Sequence, residues 1–551
     1  MRGAAPQYGE WRMSEYPTDI YIADLSPEDG FTVRGVRSGD LLGQGAAGIG
    51  DINGDGIDDF MVGALFADVN GGDSGAAYVV FGTTAGFPTV LDLLSLDGTN
   101  GFRVAGPGGS ASGYAGLGAD VNGDGFIDLI VSAPNMGPAS RGGAYIIYGH
   151  EGPFAASINL STPVEGVSSR ILNHNSSELM GLATSSVGDI NGDGIEDFAL
   201  ATDRANHGIG SNAGAAYVIF GNADGLPVDF SLSQINGTNG FEITGQLAGW
   251  QLGRSIASAG DLNGDGTDDL VIGAPGYDNS GNDNAGAAFV IYGRSTFGAA
   301  VNVGALDGTT GFRISGESVD SRLGYSVSAA GDFDGDGHAD LILGGRGKAF
   351  LVFGAATGPT EINFSTGAGA HWVMRLDYPA STSLLTVDGG FDFNADGRSD
   401  ILVGGAGIDN NRGALYMVFG GAHDAALRLN EAAAANGVTI HGAFTSTSFT
   451  DTISELGDIN GDGVEDFFIG SKGDDVNGTD AGAGYIIYGR PVVYDLVGLA
   501  SDDQLSGGFG SDSLSGMGGM DVLRGLGGDD MLDGGTGNDY LYGGAGADDL
   551  V

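Results

Sequence analysis

Cysteine is absent from the 551 residues, so no disulfide can hold this chain and thiol redox chemistry is excluded. Basic residues are scarce. Against 71 Asp and Glu there are only 21 Lys and Arg, and the formal net charge of −50 excludes a general affinity for nucleic acid or for anionic lipid surfaces. No run of about 18 apolar residues occurs, and Met1 to Asp19 lacks an apolar leader segment, so neither a membrane span nor a cleaved signal peptide is expected. Catalytic signatures are missing too: there is no Gly-x-Ser-x-Gly elbow, no His-Glu-x-x-His zinc helix and no Gly-x-x-x-x-Gly-Lys phosphate loop. The seven histidines (His150, His174, His207, His338, His371, His423 and His441) are scattered and read as surface or loop residues, and Trp11, Trp250 and Trp372 as packing residues.

Glycine, by contrast, is abundant. There are 107, far above the average share of about 7%, and with 41% hydrophobic residues and no period-three pattern this describes a turn-rich folded chain rather than collagen or disorder.

Much of the acidity sits in one nine-residue pattern, Asp-x-Asn/Asp-x-Asp-Gly-x-x-Asp. The first copy offers Asp51, Asn53, Asp55, Ile57 and Asp59 at positions one, three, five, seven and nine. The others offer Asp120, Asn122, Asp124, Phe126 and Asp128; Asp189, Asn191, Asp193, Ile195 and Asp197; Asp261, Asn263, Asp265, Thr267 and Asp269; Asp332, Asp334, Asp336, His338 and Asp340; Asp392, Asn394, Asp396, Arg398 and Asp400; and Asp458, Asn460, Asp462, Val464 and Asp466. Side-chain oxygens at one, three, five and nine, with the backbone carbonyl at seven, can wrap one hard cation. Calcium, which takes six to eight oxygens in flexible geometry, suits this better than magnesium. Glycine at position six permits the sharp reversal that lets one loop supply every ligand. Together 22 of the 71 acids are proposed ligands, so the metal-free chain is expected to be loosened by repulsion. Calcium tenfold above its dissociation constant would add about 1.4 kcal/mol per site.

The loops recur roughly every 70 residues, a period that implies repeated structural units. Before each loop comes a short alternating strand, as in Gly30–Gly35, Gly101–Gly106, Gly240–Gly245 and Gly311–Gly316, then a small-residue segment such as Ser255–Gly260. After it come an apolar strand such as Asp269–Ala274 and a further strand ending in Gly, such as Ala76–Gly82. Four strands per unit, seven units and no convincing helix predict an all-β, closed β-propeller.

Gly273-Ala274-Pro275, with Phe81-Gly82, Phe220-Gly221, Phe353-Gly354 and Phe419-Gly420 around the Asp-rich loop, resembles the FG-GAP repeat of the integrin α-subunit propeller and its bacterial relatives, over roughly residues 20–490. The resemblance implies a seven-bladed β-propeller with calcium in loops on one face, and the strand Gly30–Gly35 is predicted to complete the seventh blade. Ala201-Thr202, Gly345-Arg346 and Ser471-Lys472 replace Ala-Pro, so those blades are expected to be the least regular. Asp334 at position three and Ala395 at the usual Gly position four suggest unequal sites.

From residue 498 the period falls to nine. Six units place Asp503, Asp512, Asp521, Asp530, Asp539 and Asp548 at position six, and Leu505, Leu514, Leu523, Leu532, Leu541 and Leu550 at position eight. This resembles the RTX repeat, Gly-Gly-x-Gly-x-Asp-x-apolar-x, which Gly534–Tyr542 matches in full. Two nonapeptides would make one coil of a C-terminal parallel β-roll with leucines stacked inside and calcium held between coils by these aspartates and glycine carbonyls. Residues 1–19 read as an irregular lead-in and 491–497 as a linker.

The sum is a secreted bacterial calcium-binding protein whose propeller serves as an adhesion or interaction module for an extracellular protein or glycan. RTX resemblance implies export by type I secretion machinery. The alternative is an accessory module of an extracellular hydrolase or toxin whose catalytic portion lies outside this chain, and the array's breaking off in mid-pattern at Val551 leads us to expect a longer protein. Lys472-Gly473-Asp474 resembles an integrin-ligand tripeptide by accident of composition.

Overall fold

The computed structural model describes residues 12–14, 19–164, 166–206, 210–279, 281–378, 383–409, 412–421, 426–429, 437–443, 449–491, 493–508 and 510–551. Trp11, His207 and His423 lie outside the described residues.

Seven sheets form a ring, each built as the sequence repeat predicts. In blade I, Leu42–Gly50, Asp59–Ala64, Ala76–Val80 and Gly101–Ala105 run antiparallel from the axis to the rim. Blades II to VI begin at Gly116, Ala183, Ile256, Ser326 and Thr386 and repeat the order. The second and third strands are buried, Lys348 of blade V apart, because each blade is sandwiched between two neighbours, so a run such as Asp59-Phe-Met-Val-Gly-Ala shows no alternation. The first strands are only partly buried, and those of blades I and VI alternate, since one of their faces lines the axial channel.

Seven hydrophobic clusters fill the seven seams. Between blades I and II, Met61, Val79 and Phe102 meet Leu129, Val131 and Tyr145; between VII and I, Phe468 and Ile486 meet Phe60 and Val62. A closed series of seams leaves no apolar blade face bare, which is how a propeller avoids exposed sheet faces.

Closure follows the predicted route. Gly30–Arg34 pairs antiparallel with Ala483–Ile487, Phe31 opposite Ile486, as the fourth strand of blade VII beside Phe449–Gly457 and Asp466–Ser471. The repeat pattern did not reveal a fifth strand. Each blade's rim carries two or three residues parallel to strand four and donated by the next stretch of chain, such as Ser157–Asn159 on Gly101–Ala105 of blade I. Asp19–Tyr21 plays this part on Gly437–His441 of blade VI, so residues 19–34 bridge blades VI and VII.

Blades III and VII, two of those expected to be the least regular, keep full six-residue second strands, Asp197–Thr202 and Asp466–Ser471, without Ala-Pro. Blades II and V have five-residue second strands, Asp128–Ser132 and Asp340–Gly344, and in blade V a tight turn joins that strand to Lys348–Val352.

The C-terminal nonapeptides form a roll with two parallel sheets. Leu496, Leu514, Leu532 and Leu550 align in one, and Leu505, Leu523 and Leu541 in the other, each step spanning two repeats. Leu505, Leu514, Leu523 and Leu532 are buried between the sheets. Two boundaries need correction. Within the expected linker 491–497, Val493–Val497 is the roll's first strand, because Leu496 stands one nonapeptide before Leu505 and is buried with the other leucines. Within the expected irregular lead-in, Arg12–Ser14 pairs antiparallel with Val493–Asp495 and thereby covers the roll's edge.

Candidate metal centres

The seven Asp-rich loops join strand one to strand two of each blade, and they share one hydrogen-bond scheme. The position-one carboxylate folds the loop around itself. Its Oδ1 accepts the N–H of position five at 2.9–3.1 Å and its Oδ2 that of position six at 2.7–2.9 Å in every copy. Position five in turn accepts the N–H of position seven (Ile57, Phe126, Ile195, Thr267, His338, Arg398 and Val464) at 2.9–3.1 Å. Left-handed backbone at position six makes the turn possible, with Gly56 at φ 87°. Position four is left-handed too, Gly54 at φ 76°, and there Ala395 holds that conformation without the help of glycine, at φ 52°.

Position nine lies deepest. Asp59, Asp128, Asp197, Asp269, Asp340, Asp400 and Asp466 have no exposed surface, and their Oδ1 atoms accept the N–H of Gly82, Gly149, Gly221, Gly293, Gly354, Gly420 and Gly489 at 2.8–2.9 Å. These glycines lie just after strand three, four of them in the Phe-Gly signature and three behind Tyr148, Tyr292 and Tyr488, so the aromatic-Gly turn and the loop form one hydrogen-bonded unit. A Cβ on Gly82 would run into the carbonyl oxygen of Asp58. In six blades the Oδ2 takes the N–H of position two, at 3.0–3.3 Å. In blade III, Asp197 Oδ2 is buried with no hydrogen-bond partner.

Such acids are hard to ionise without a cation. Burial pushes Asp59, Asp128, Asp197, Asp269 and Asp466 up to about 8 and Asp340 to about 7, with neighbouring carboxylates adding to the rise and backbone donors opposing it. Asp400 is raised by the same causes. In blade V, Asp332, Asp334 and Asp340 bring carboxylate oxygens within 4.8 Å of one another, a set of hard donors suited to calcium.

The roll repeats the theme at closer spacing. Asp512, Asp521, Asp530, Asp539 and Asp548 each accept, through Oδ1, an N–H from the coil before, at 2.6–3.2 Å. Leu499 and Gly508 donate to Oδ2 of Asp503 and Asp512. Asp521 and Asp530 keep a buried Oδ2 without a partner. The space beside them is bounded by glycine: a Cβ on Gly516 would lie 2.5 Å from Asp521 Oδ2 and 2.8 Å from the Gly534 carbonyl oxygen. A carboxylate oxygen without a partner and a carbonyl oxygen, converging where a Cβ would clash with both, are hard donors that fit a cation between coils.

Other residues singled out in the sequence fall to structural roles. Lys472 pairs with Asp451 at 2.7 Å and Asp474 is buried, accepting the Tyr485 hydroxyl at 2.8 Å, so the tripeptide is not presented to a partner. Trp250 packs on Tyr277 and Phe289 in the blade III–IV seam, and Trp372 packs against the cluster between blades IV and V. His150 stacks on Phe154 and His371 lies against Trp372. Two acids escaped sequence reading because they stand in ordinary strands. Asp388 and Glu455 line the axial channel of about 560 Å³, Glu455 being pushed to about 8 by burial and by Glu465, Asp388 and Asp58.

The FG-GAP repeat family model matches residues 112–148, 182–219 and 252–291, and the RTX calcium-binding nonapeptide repeat model matches 495–523 and 515–550. Integrin alpha-V of Gallus gallus is 28% identical over 237 residues, 40% of this chain and 20% of that protein. Integrin alpha-PS2 of Drosophila melanogaster is 27% identical over 236 residues, 40% of this chain and 15% of that protein. Phosphatidylinositol-glycan-specific phospholipase D of Bos taurus is 30% identical over 221 residues, 39% of this chain and 24% of that protein. The match thus spans a quarter or less of each relative. The chain carries an FG-GAP propeller of the integrin α type and RTX calcium-binding repeats, and among the described residues no helix is long and apolar enough to cross a membrane.

Proposed function

We propose that this chain is a secreted, calcium-stabilised adhesion or interaction protein that presents its propeller to an extracellular protein or glycan. The observation that carries the reading is the preformed geometry that the seven loops share, with position-nine acids buried and hydrogen-bonded to the aromatic-Gly turns after strand three. Positions one, three, five and nine, with the carbonyl of seven, hold one calcium ion per loop. Asp503, Asp512, Asp521, Asp530, Asp539 and Asp548 hold further ions in the roll. When bound, calcium supplies no bond-making chemistry here: it neutralises clustered carboxylates and fixes the loops of one face, while recognition falls to surface loops on a rigid scaffold. Export by a type I route, unfolded in low calcium and folding outside, suits a chain without disulfides and with so many metal-dependent turns.

A second reading rests on the likeness to phosphatidylinositol-glycan-specific phospholipase D: the propeller then serves as accessory module of an extracellular hydrolase. A glycan and extracellular-protein array, probed in millimolar calcium and again in EGTA, separates the two. Calcium-dependent capture of a defined ligand supports the interaction protein. A blank array, together with a hydrolase domain in the same polypeptide, supports the accessory module.

A further inference from the structure

The loops are not separate around the ring. Position eight, directly before each buried position-nine acid, reaches into the neighbouring blade. Asp58 Oδ2 accepts the N–H of Asp458 at 2.9 Å, Glu196 Oε2 that of Asp120 at 2.9 Å, Asp268 Oδ2 that of Asp189 at 3.0 Å, and Glu465 Oε2 that of Asp392 at 2.6 Å. Each recipient is the first ligand position of its loop. Successive side chains entering a strand point to opposite sides, so position nine serves its own loop while position eight serves the one beside it.

The links are incomplete in an ordered way. At the other three seams position eight is Ile127, Ala339 or Ser399, none of them a carboxylate. The carboxylate bridges therefore join loops II, III and IV into one run and VI, VII and I into another, and skip blade V, whose loop meets its neighbours through the backbone bonds found at every seam, such as Gly421 N–H to the Phe333 carbonyl at 2.7 Å. Blade V is also the loop with a carboxylate rather than an amide at position three, Asp334, and so has the most charge of its own to hold an ion.

We propose that Asp58, Glu196, Asp268 and Glu465 are positioning residues that couple neighbouring loops, so that calcium loads the propeller as two cooperative groups of three and one independent site. The proposal rests on the reading of the loops as calcium sites. An ion drawn onto position nine fixes the backbone at eight and nine. That holds the acceptor for the next loop's first residue and orients its aspartate before its own ion arrives. The coupling is reciprocal, and its usual size is roughly five- to a hundredfold in affinity.

Native mass spectrometry of the full chain titrated with calcium tests this, the roll's ions being common to every variant. Coupling predicts that partly filled triplets are scarce. Glu196→Ala should populate them and weaken calcium binding at blade II about tenfold, whereas Glu196→Gln, whose amide oxygen accepts the same N–H, should keep the coupling. Ile127→Glu, which adds a bridge between loops I and II, should merge the two triplets into one group of six. A statistical ladder of occupancies in the unaltered chain, unchanged by Glu196→Ala or Ile127→Glu, overturns the coupling and leaves calcium binding intact. If instead Asp124→Asn, Asp193→Asn and Asp265→Asn together remove no bound ion, the calcium reading itself is overturned.

Discussion

Asp59 Oδ1 accepts the backbone N–H of Gly82 at 2.9 Å, tying the metal loop of blade I to the end of its third strand. The same bond recurs in every blade, so two motifs far apart in sequence are halves of one device: the glycine leaves room for the approach and the buried acid supplies the acceptor.

Gly82→Ala should break that device. The added methyl meets the Asp58 carbonyl oxygen, and overpacking of this kind costs about 1–3 kcal/mol. Thermal unfolding in calcium should show the loss, and the gap from the parent chain should narrow in EGTA, because the displaced Asp59 then no longer forfeits an ion.

Acidity should act in opposite directions with and without metal. Among the position-nine acids, Asp59, Asp128, Asp197, Asp269 and Asp466 rise from an ordinary value near 3.8 to about 8 and Asp340 to about 7 when folded without metal. A group whose folded value is raised stabilises the fold below its unfolded value and loses that contribution as pH rises through the folded one. In EGTA the melting temperature should therefore fall between pH 4 and pH 8. In excess calcium the trend should reverse over the same window, since protons compete with the ion for the carboxylates. Calorimetric scans at pH 5 and pH 8, with and without calcium, check both signs.

Leu496 belongs to the roll rather than to a linker. Leu496→Ala should cost the roll about 2–5 kcal/mol, as for other buried leucines, where an exposed linker position would change stability by about 0.5 kcal/mol or less. Unfolding of the roll followed by amide hydrogen exchange of residues 493–551 measures the difference.

Closing the ring depends on Phe31. Its side chain is buried, stacks on Phe87 at 4.5 Å and packs in the seam between blades VII and I. Phe31→Ala should cost about 3–5 kcal/mol, and limited proteolysis should then find its first cuts in blades VII and I.

Repetition made most of this architecture legible in the chain itself. Seven copies of one loop and six of one nonapeptide identify the blades, the roll, the proposed ligands and the closing strand, because each repeat must place the same oxygen and apolar atoms in the same local geometry. Leu496 was legible too, one period before Leu505, though an isolated leucine outside the glycine pattern hides its phase. What lies between repeats was decided by the tertiary structure. Asp58, Glu196, Asp268 and Glu465 differ in identity, and three blades lack them, so no spacing marks them as bridges. The rim strands, such as Ser157–Asn159, are too short to show a period, and Asp388 and Glu455 become a pair of channel acids only when first strands from blades VI and VII stand side by side around one axis. Local pattern fixes what a loop can bind, because its ligands come from nine consecutive residues; which loops sense one another depends on blades meeting across a seam, and that is set only when the ring closes.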